Sequence, residues 1–450
     1  MRKIGLVILT VVAGVLTGNA QQKFTLEQAQ QYGVEHREQV MNAHLDLKSA
    51  EKKVWETTAI GLPQINAEGN FQQYINIPTS VVDASFINPN AQPGDVVSFR
   101  MGQKYNVTGG INASQLIFDG SYIVGLQVSK FYTEFVRSSI EKSQQEVQYN
   151  IAQAYYNVLI AEDNLKLIDS LILSAEELLG NTEVIYDQGM IEKEEVDQLE
   201  LNSIRLNSMK VNTERQLLVA QNLLKLQMGY PLTDEILLEG DLDHYLTQIE
   251  MEFADLKGSI QDNINLIMLN QQKRLSEFDL KNKRFQHFPQ LAAFFQHQYM
   301  AFRSEFDLFQ DKPWYPSTAW GITLKIPIIS SGMRAMQVQQ AKIEVEKNEN
   351  SIKELERTLQ FQEIQTKANF ENALTMMKLE RRNIELAKSI YKNTSIKKEV
   401  GVVTSLQVTQ TYSQVLSAQT DYLNAILQVM NAKNELDNLY GNFTTQLTEN

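Results

Sequence analysis

Two periodicities alternate along the chain. From Val147 the apolar and small residues Ile151, Ala154, Val158, Ala161, Leu165, Ile168, Ile172, Ala175 and Leu179 follow at steps of four and three. That is the heptad seam of helices packed side by side. Val338, Ala341, Val345, Ile352, Leu355 and Leu359 keep the same stepping later in the chain, interrupted at Asn348. Lysine, glutamate, asparagine and glutamine fill much of the remainder, so both stretches read as long helices with a narrow buried stripe. No proline occurs in 94–230 or 328–450, and proline is the strongest helix breaker.

Elsewhere the period is two. Ile65, Ala67, Gly69 and Phe71 alternate with Gln64, Asn66, Glu68, Asn70 and Gln72; Tyr105, Val107, Gly109, Ile111 and Ala113 alternate with Asn106, Thr108, Gly110, Asn112 and Ser114. Leu291, Ala293, Phe295 and Tyr299 form one face of a third segment, against Gln290, Gln296 and Gln298. In a fourth, Trp320, Ile322, Leu324 and Ile326 oppose Gly321, Thr323 and Lys325. An apolar face opposite a polar one over about ten residues is the signature of a lipid-facing, water-lined barrel strand. The expected strands are 63–78, 103–118, 289–302 and 317–329, with Phe302, Trp314, Tyr315 and Trp320 as an interfacial aromatic girdle. The stretches 78–102 and 303–315 read as polar, turn-rich loops.

These segments are duplicated. Leu116-Ile117-Phe118-Asp119-Gly120 resembles Ile328-Ile329-Ser330-Ser331-Gly332, with the glycines 332 − 120 = 212 residues apart. Asp187-Gln188-Gly189-Met190-Ile191 matches Glu399-Val400-Gly401-Val402-Val403 at 401 − 189 = 212, and Gly229 matches Gly441 at the same offset. Leu62-Pro63-Gln64-Ile65 pairs with Phe288-Pro289-Gln290-Leu291 at 289 − 63 = 226, so the extra length sits in one segment. Repeat 1 spans 21–230 with a helical tip at 187–192, repeat 2 spans 251–441 with a tip at 399–404, 231–250 is the linker and 442–450 a tail. A helix from Gly120 to Gly189 would be roughly 100 Å long. The return helix to Gly229, stacked on one running from about Thr25 towards Pro63, would match that length. The second copy, with 332–400, 402–441 and 252–286, repeats the arithmetic and predicts a helical barrel wall.

Composition narrows the setting. Arg2 and Lys3, the apolar run Ile4–Leu16 and Gly18-Asn19-Ala20 read as an export signal over 1–20. The absence of cysteine predicts neither a lipid-anchored N-terminus nor disulfides. No later apolar run is long enough for a membrane helix. A net charge of −13 excludes a nucleic-acid partner, which would need a basic surface. No catalytic or metal-ligating constellation stands out. His36 and His44 read as a solvated pair, Met333 and Met336 as packing, and Lys392, Lys397 and Lys398 as a solvated basic cluster. The chain is expected to be neither an enzyme nor a cofactor or metal binder.

Four strands cannot close a membrane barrel, since the smallest have about eight. The chain must therefore share a barrel with other copies, and strand count alone permits a dimer of eight strands, a trimer of twelve or a larger ring. At this point the residues resemble a known family. The Leu-Pro or Phe-Pro strand opening, the Ile-Phe-Asp-Gly or Pro-Ile-Ile-Ser-Ser-Gly strand exit, the glycine turn and the closing Leu-x-x-Leu-Tyr-Gly, all duplicated, resemble the TolC-type outer membrane efflux proteins. The resemblance implies a mixed α and β outer-membrane protein. Two tandem repeats, each a β-hairpin plus long antiparallel helices, would form a homotrimer with a twelve-stranded β-barrel and an α-helical periplasmic barrel. It implies a passive duct for efflux or type I secretion that docks on a periplasmic adaptor and, through it, an inner-membrane pump, with outer-membrane lipid around the barrel. Linker and tail would belt the tunnel. The residues Asp187, Gln188, Gly189, Met190, Ile191, Glu399, Val400, Gly401, Val402 and Val403 take the adaptor-docking positions. Glu195, Lys398, Gln407 and Gln410, with Val403, take those of the periplasmic gate. The family's best-known form has gate aspartates where Gln407 and Gln410 stand, so weak block by multivalent cations is expected. The alternatives are an exported coiled-coil scaffold without a pore and, less consistent with the duplication, a periplasmic adaptor.

Overall fold

The computed structural model describes residues 23–87, 89–253, 258–307 and 310–443. The export signal expected at 1–20 lies outside the described residues, as does the tail beyond 443. The chain opens with β1 (Lys23–Phe24), α1 (Leu26–His36), α2 (Glu38–Ala59), β2 (Gln64–Gln73), β3 (Thr79–Asp83), β4 (Val96–Arg100) and β5 (Tyr105–Phe118). The helices α3 (Gly120–Asp187) and α4 (Lys193–Met228) follow, then β6 (Leu237–Leu238) and α5 (Leu242–Phe253). The second half carries α6 (Ile264–Phe285), β7 (Gln290–Arg303), β8 (Tyr315–Lys325), α7 (Met333–Glu399) and α8 (Ser405–Tyr440). The long helices come in nearly equal pairs: 68 and 36 residues in the first half, 67 and 36 in the second. The described residues divide into two compact units, one drawn from 46–137 with 269–351, the other from 23–45, 138–268 and 352–443.

The first unit holds a four-stranded antiparallel sheet in the order β2-β5-β7-β8. Residues opposite each other across an antiparallel pair share a face. One face therefore carries Ile65, Ala67, Phe71, Val107, Ile111, Phe295, Tyr299, Ala301, Trp320, Ile322 and Leu324. The other carries Gln64, Asn66, Glu68, Asn70, Asn106, Thr108, Asn112, Ser114, Gln296, Gln298, Ser317, Thr323 and Lys325. Among the described residues no second layer covers most of the apolar face: Ile65 is 70% exposed, Trp320 78% and Ile322 61%, although Ala301 and Arg303 at one end are buried.

Several expectations need correction. The first strand ends at Gln73, and the fourth runs from Tyr315 to Lys325, stopping two residues short of Pro327. Phe302 and Tyr315, expected in the girdle, lie on the polar face, whereas His297 and Arg303 lie on the apolar one. The loop 78–102 is not irregular. Its β3 and β4 pair antiparallel, Thr79 opposite Arg100 through Asp83 opposite Val96. The helix expected from Thr25 breaks at Arg37, whose backbone is extended at φ −71° and ψ 129°.

The second unit explains that break. The Arg37 guanidinium donates to Leu226 O at 2.6 Å, in the last turn of α4, and Gly229 packs against the His36 carbonyl. The chain reproduces this joint in its other half. There α8 ends at Gly441 against the Asp262 carbonyl, and the Asn263 side chain donates to Leu439 O at 3.0 Å. Both closing glycines are left-handed, at φ 70° and 69°, the usual helix stop. The linker 231–250 is more ordered than a connector requires. β6 pairs parallel with β1, and α5 packs into a core of Phe24, Tyr155, Tyr245, Leu246 and Ile426. The buried Tyr155 hydroxyl lies 3.0 Å from Phe24 O, 2.8 Å from Glu239 O and 3.2 Å from the Tyr245 hydroxyl, which ties those segments together.

Candidate functional site

The two helical tips have the same backbone. At the first, Gly189 N–H donates to Tyr186 O and Met190 N–H to Ile185 O, with Gly189 at φ 75°. At the second, Gly401 donates to Lys398 O and Val402 to Lys397 O, with Gly401 also at φ 75°. This is the Schellman arrangement, which satisfies carbonyls that a helix end leaves free. The glycines are thus helix stops. The turns place Asp187, Gln188 and Glu399 in solvent together with apolar Met190 (69% exposed), Val400 (69%) and Val402 (70%), while Ile191 and Val403 are half-buried. Apolar residues at the apex of a turn gain nothing from the fold of one chain, and the geometry alone assigns them no partner.

Of the residues expected at the gate, Glu195 and Lys398 meet. The Lys398 ammonium, almost wholly buried, bonds the Glu195 carboxylate, and the same carboxylate oxygen accepts the Ser405 N–H at 2.7 Å. Lys398 belongs to the last turn of α7, Glu195 to the first turn of α4 and Ser405 to the start of α8. One carboxylate therefore joins three helix ends. Burial works to raise the Glu195 carboxyl, but the Lys398 ammonium and the Ser405 groups outweigh it and hold the carboxyl below its ordinary range. Beneath this joint lies a core of Leu199, Leu206, Tyr391, Val408, Tyr412 and Val415, with the two tyrosine rings 6.2 Å apart.

Gln407 and Gln410 do not join the pair. Gln407 turns back on its own helix, accepting the Thr404 N–H while Thr404 accepts from Gln407 N, a capping box. Gln410 is exposed, with no hydrogen-bond partner among the described residues. The role of Ser405 is invisible to sequence reasoning, because Glu195 stands 210 positions away from it. The capping box was readable in Thr404-x-x-Gln407. Among the described residues no group of three or more His, Asp or Glu side chains converges on a metal site, and no helix is long and apolar enough to cross a membrane.

Comparison with known proteins bears on the fold. Residues 260–442 match the family model described as outer membrane efflux protein. No curated protein matches the chain by sequence. Among solved structures, the fold is similar to that of the transmembrane channel protein CusC, at a TM-score of 0.70 and 13% identity, covering 92% of this chain and 91% of that one. It is also similar to VceC from Vibrio cholerae, an outer membrane protein, at 0.66 and 13% over 92% and 96% of the two chains. The open state of the Neisseria gonorrhoeae MtrE outer membrane channel gives 0.67 and 15% over 92% and 88%. The family model thus covers 183 of the 450 residues, all in the later part of the chain, and the fold likeness nearly all of it. The resemblance to TolC-type outer membrane efflux proteins holds in both.

Proposed function

We propose that this chain, which resembles the TolC-type outer membrane efflux proteins in sequence over 260–442 and in fold almost throughout, is one subunit of a trimeric passive duct from periplasm to exterior. The observation that carries the reading is the sheet. It exposes an apolar face and a polar face, and its outer strands β2 and β8 have no further partner strand among the described residues. In hydrocarbon every unsatisfied N–H and C=O costs several kcal/mol, so open edges do not persist there. Pairing β8 of one copy with β2 of the next removes both edges, and three copies give twelve strands with the amide-rich face inward. The long helices then continue the conduit on the periplasmic side, in the outer membrane of a Gram-negative cell. The exposed apolar tips at 187–191 and 399–403 dock on a periplasmic adaptor, which links the duct to an inner-membrane pump for efflux or type I secretion. The Glu195–Lys398 joint holds the tips together at the gate. Nothing in this role calls for catalysis by the chain, and the energy for transport comes from the pump.

The chain contains no cysteine, which makes the edge pairing directly testable. Single cysteines placed along β2 and β8 in turn, mixed and oxidised in detergent, are expected to give copy-to-copy disulfides at one register only. Cross-links that are absent at every register would sink the shared barrel.

A further inference from the structure

Where the sheet meets the helices there is a cavity that the duct reading leaves unused. Its volume is about 330 Å³, at the small end of the ligand-pocket range. All its walls belong to one compact unit of one chain. Phe285 and Phe288, with ring centroids 5.1 Å apart, and Met333 make an apolar wall; Lys325, Arg334 and Asp119 bring charge.

The charges do not cancel. Asp119 is already engaged through both carboxylate oxygens. Oδ1 accepts the Ser121 and Tyr122 N–H groups at 2.7 and 3.2 Å in the first turn of α3, and Oδ2 accepts from Gln290 Nε2 at 2.8 Å. Neither Lys325 nor Arg334 has an anionic partner among the described residues. The backbone between these two cations is unusual. Ser331, at φ 47°, is the one non-glycine with positive φ among the described residues, and Gly332 follows at φ 84°. A non-glycine in this region costs energy and tends to persist where the surroundings require it. Here two consecutive left-handed residues start α7 so that Arg334 lines the same cavity as Lys325.

The face of the sheet decides which kind of ligand reaches the site. Lys325 is paired with Gln290 and shares the polar face with Thr323 and Gln296, opposite Leu291, Leu324 and Ile322. In the duct reading, on which this inference rests, that is the water-filled side. We propose that the cavity binds a water-borne aromatic or acyl anion (a carboxylate, sulfonate or phosphate), its charged group between Lys325 and Arg334 and its apolar body against Phe285, Phe288 and Met333. The site would be a station for amphiphilic anions on the conduction path.

The test uses the full-length oligomer in phosphatidylcholine bilayers, with naphthalene-2-sulfonate as probe and uncharged 2-naphthol as control. The sulfonate is expected to interrupt the current in a concentration-dependent way and the naphthol is not. Lys325→Gln and Arg334→Gln should each weaken the block about tenfold, the scale of one lost charge-assisted hydrogen bond. Equal block by both compounds, or block unchanged in both variants, would overturn the site while leaving the duct intact. Equilibrium dialysis of the sulfonate against detergent-purified protein, with empty micelles as reference, reads binding independently of conductance. Variant-sensitive binding there without any channel activity would keep the site and sink the duct. Phosphatidylglycerol retained by the wild type and lost by the variants, with no effect of the sulfonate, would contradict the water-facing assignment and make the ligand a lipid headgroup.

Discussion

Glu195 illustrates how a single side chain can hold three helix ends. Its carboxylate is the counter-charge of a buried ammonium and also caps α8 through the Ser405 N–H. Glu195→Gln keeps the shape but leaves the Lys398 charge uncompensated, so a stability loss of about 1–3 kcal/mol is expected. Its pH dependence follows from the direction of the shift. The folded carboxyl lies below its ordinary range, so the contribution is complete above the unfolded value, about 4.3, and is lost only as pH falls through the lower folded one. The melting-temperature gap between wild type and Glu195→Gln should therefore hold from neutral pH down to about 4.3 and close below it. A gap that closes between pH 7 and 5 would contradict the arrangement. Gln410 makes the converse point: it is exposed, uncharged and unpartnered among the described residues. Multivalent cations should block the channel weakly, and Gln410→Asp, which would place symmetry-related carboxylates near the tip, should strengthen the block. Single-channel recordings with a trivalent cation check this; tight block of the wild type would refute it.

At the scale of elements, local pattern carried most of what could be read. The alternation in Ile65–Gln72 and Tyr105–Ser114 became β2 and β5 in mutual register, because strand periodicity is a property of neighbouring residues. The proline-free windows hold α3 with α4 and α7 with α8, the first of them also holding β4 and β5. What escaped was set by distant contacts. The break at Arg37 comes from the end of α4 at Leu226, which no feature near Arg37 announces. The β3–β4 pair was hidden by Pro78, Pro89 and Pro93, which flank or interrupt it without entering either strand. At the tips, Gly189 and Gly401 were legible as turns, whereas the ion pair beside them required folded geometry. The register also isolates two charges on the polar face of the four strands, Glu68 and Lys325. Glu68 stands opposite Gly110, which has no side chain, and it is exposed. Glu68→Lys should shift the channel's ion preference towards anions, read as a reversal potential in a salt gradient. The recording belongs near 0.1 M, where charges act over about 10 Å, because at 1 M the reach is about 3 Å. An unchanged reversal potential would remove Glu68 from the lumen.

For the whole molecule the proposed duct makes one requirement: a sheet that, among the described residues, has two open edges and a largely exposed apolar face must be completed by other copies and by lipid. A scaffold built from the same helices would need the apolar face of Ile65, Phe71, Trp320 and Ile322 covered by protein, and among the described residues no second layer does so. The most direct test is to extract the chain from outer-membrane fractions in detergent, determine the mass of the particle and add it to a planar lipid bilayer. A particle of three chains that produces discrete conductance steps is the predicted result. A monomer that stays in solution without detergent and carries no current would contradict the duct and return the four strands to an ordinary sheet.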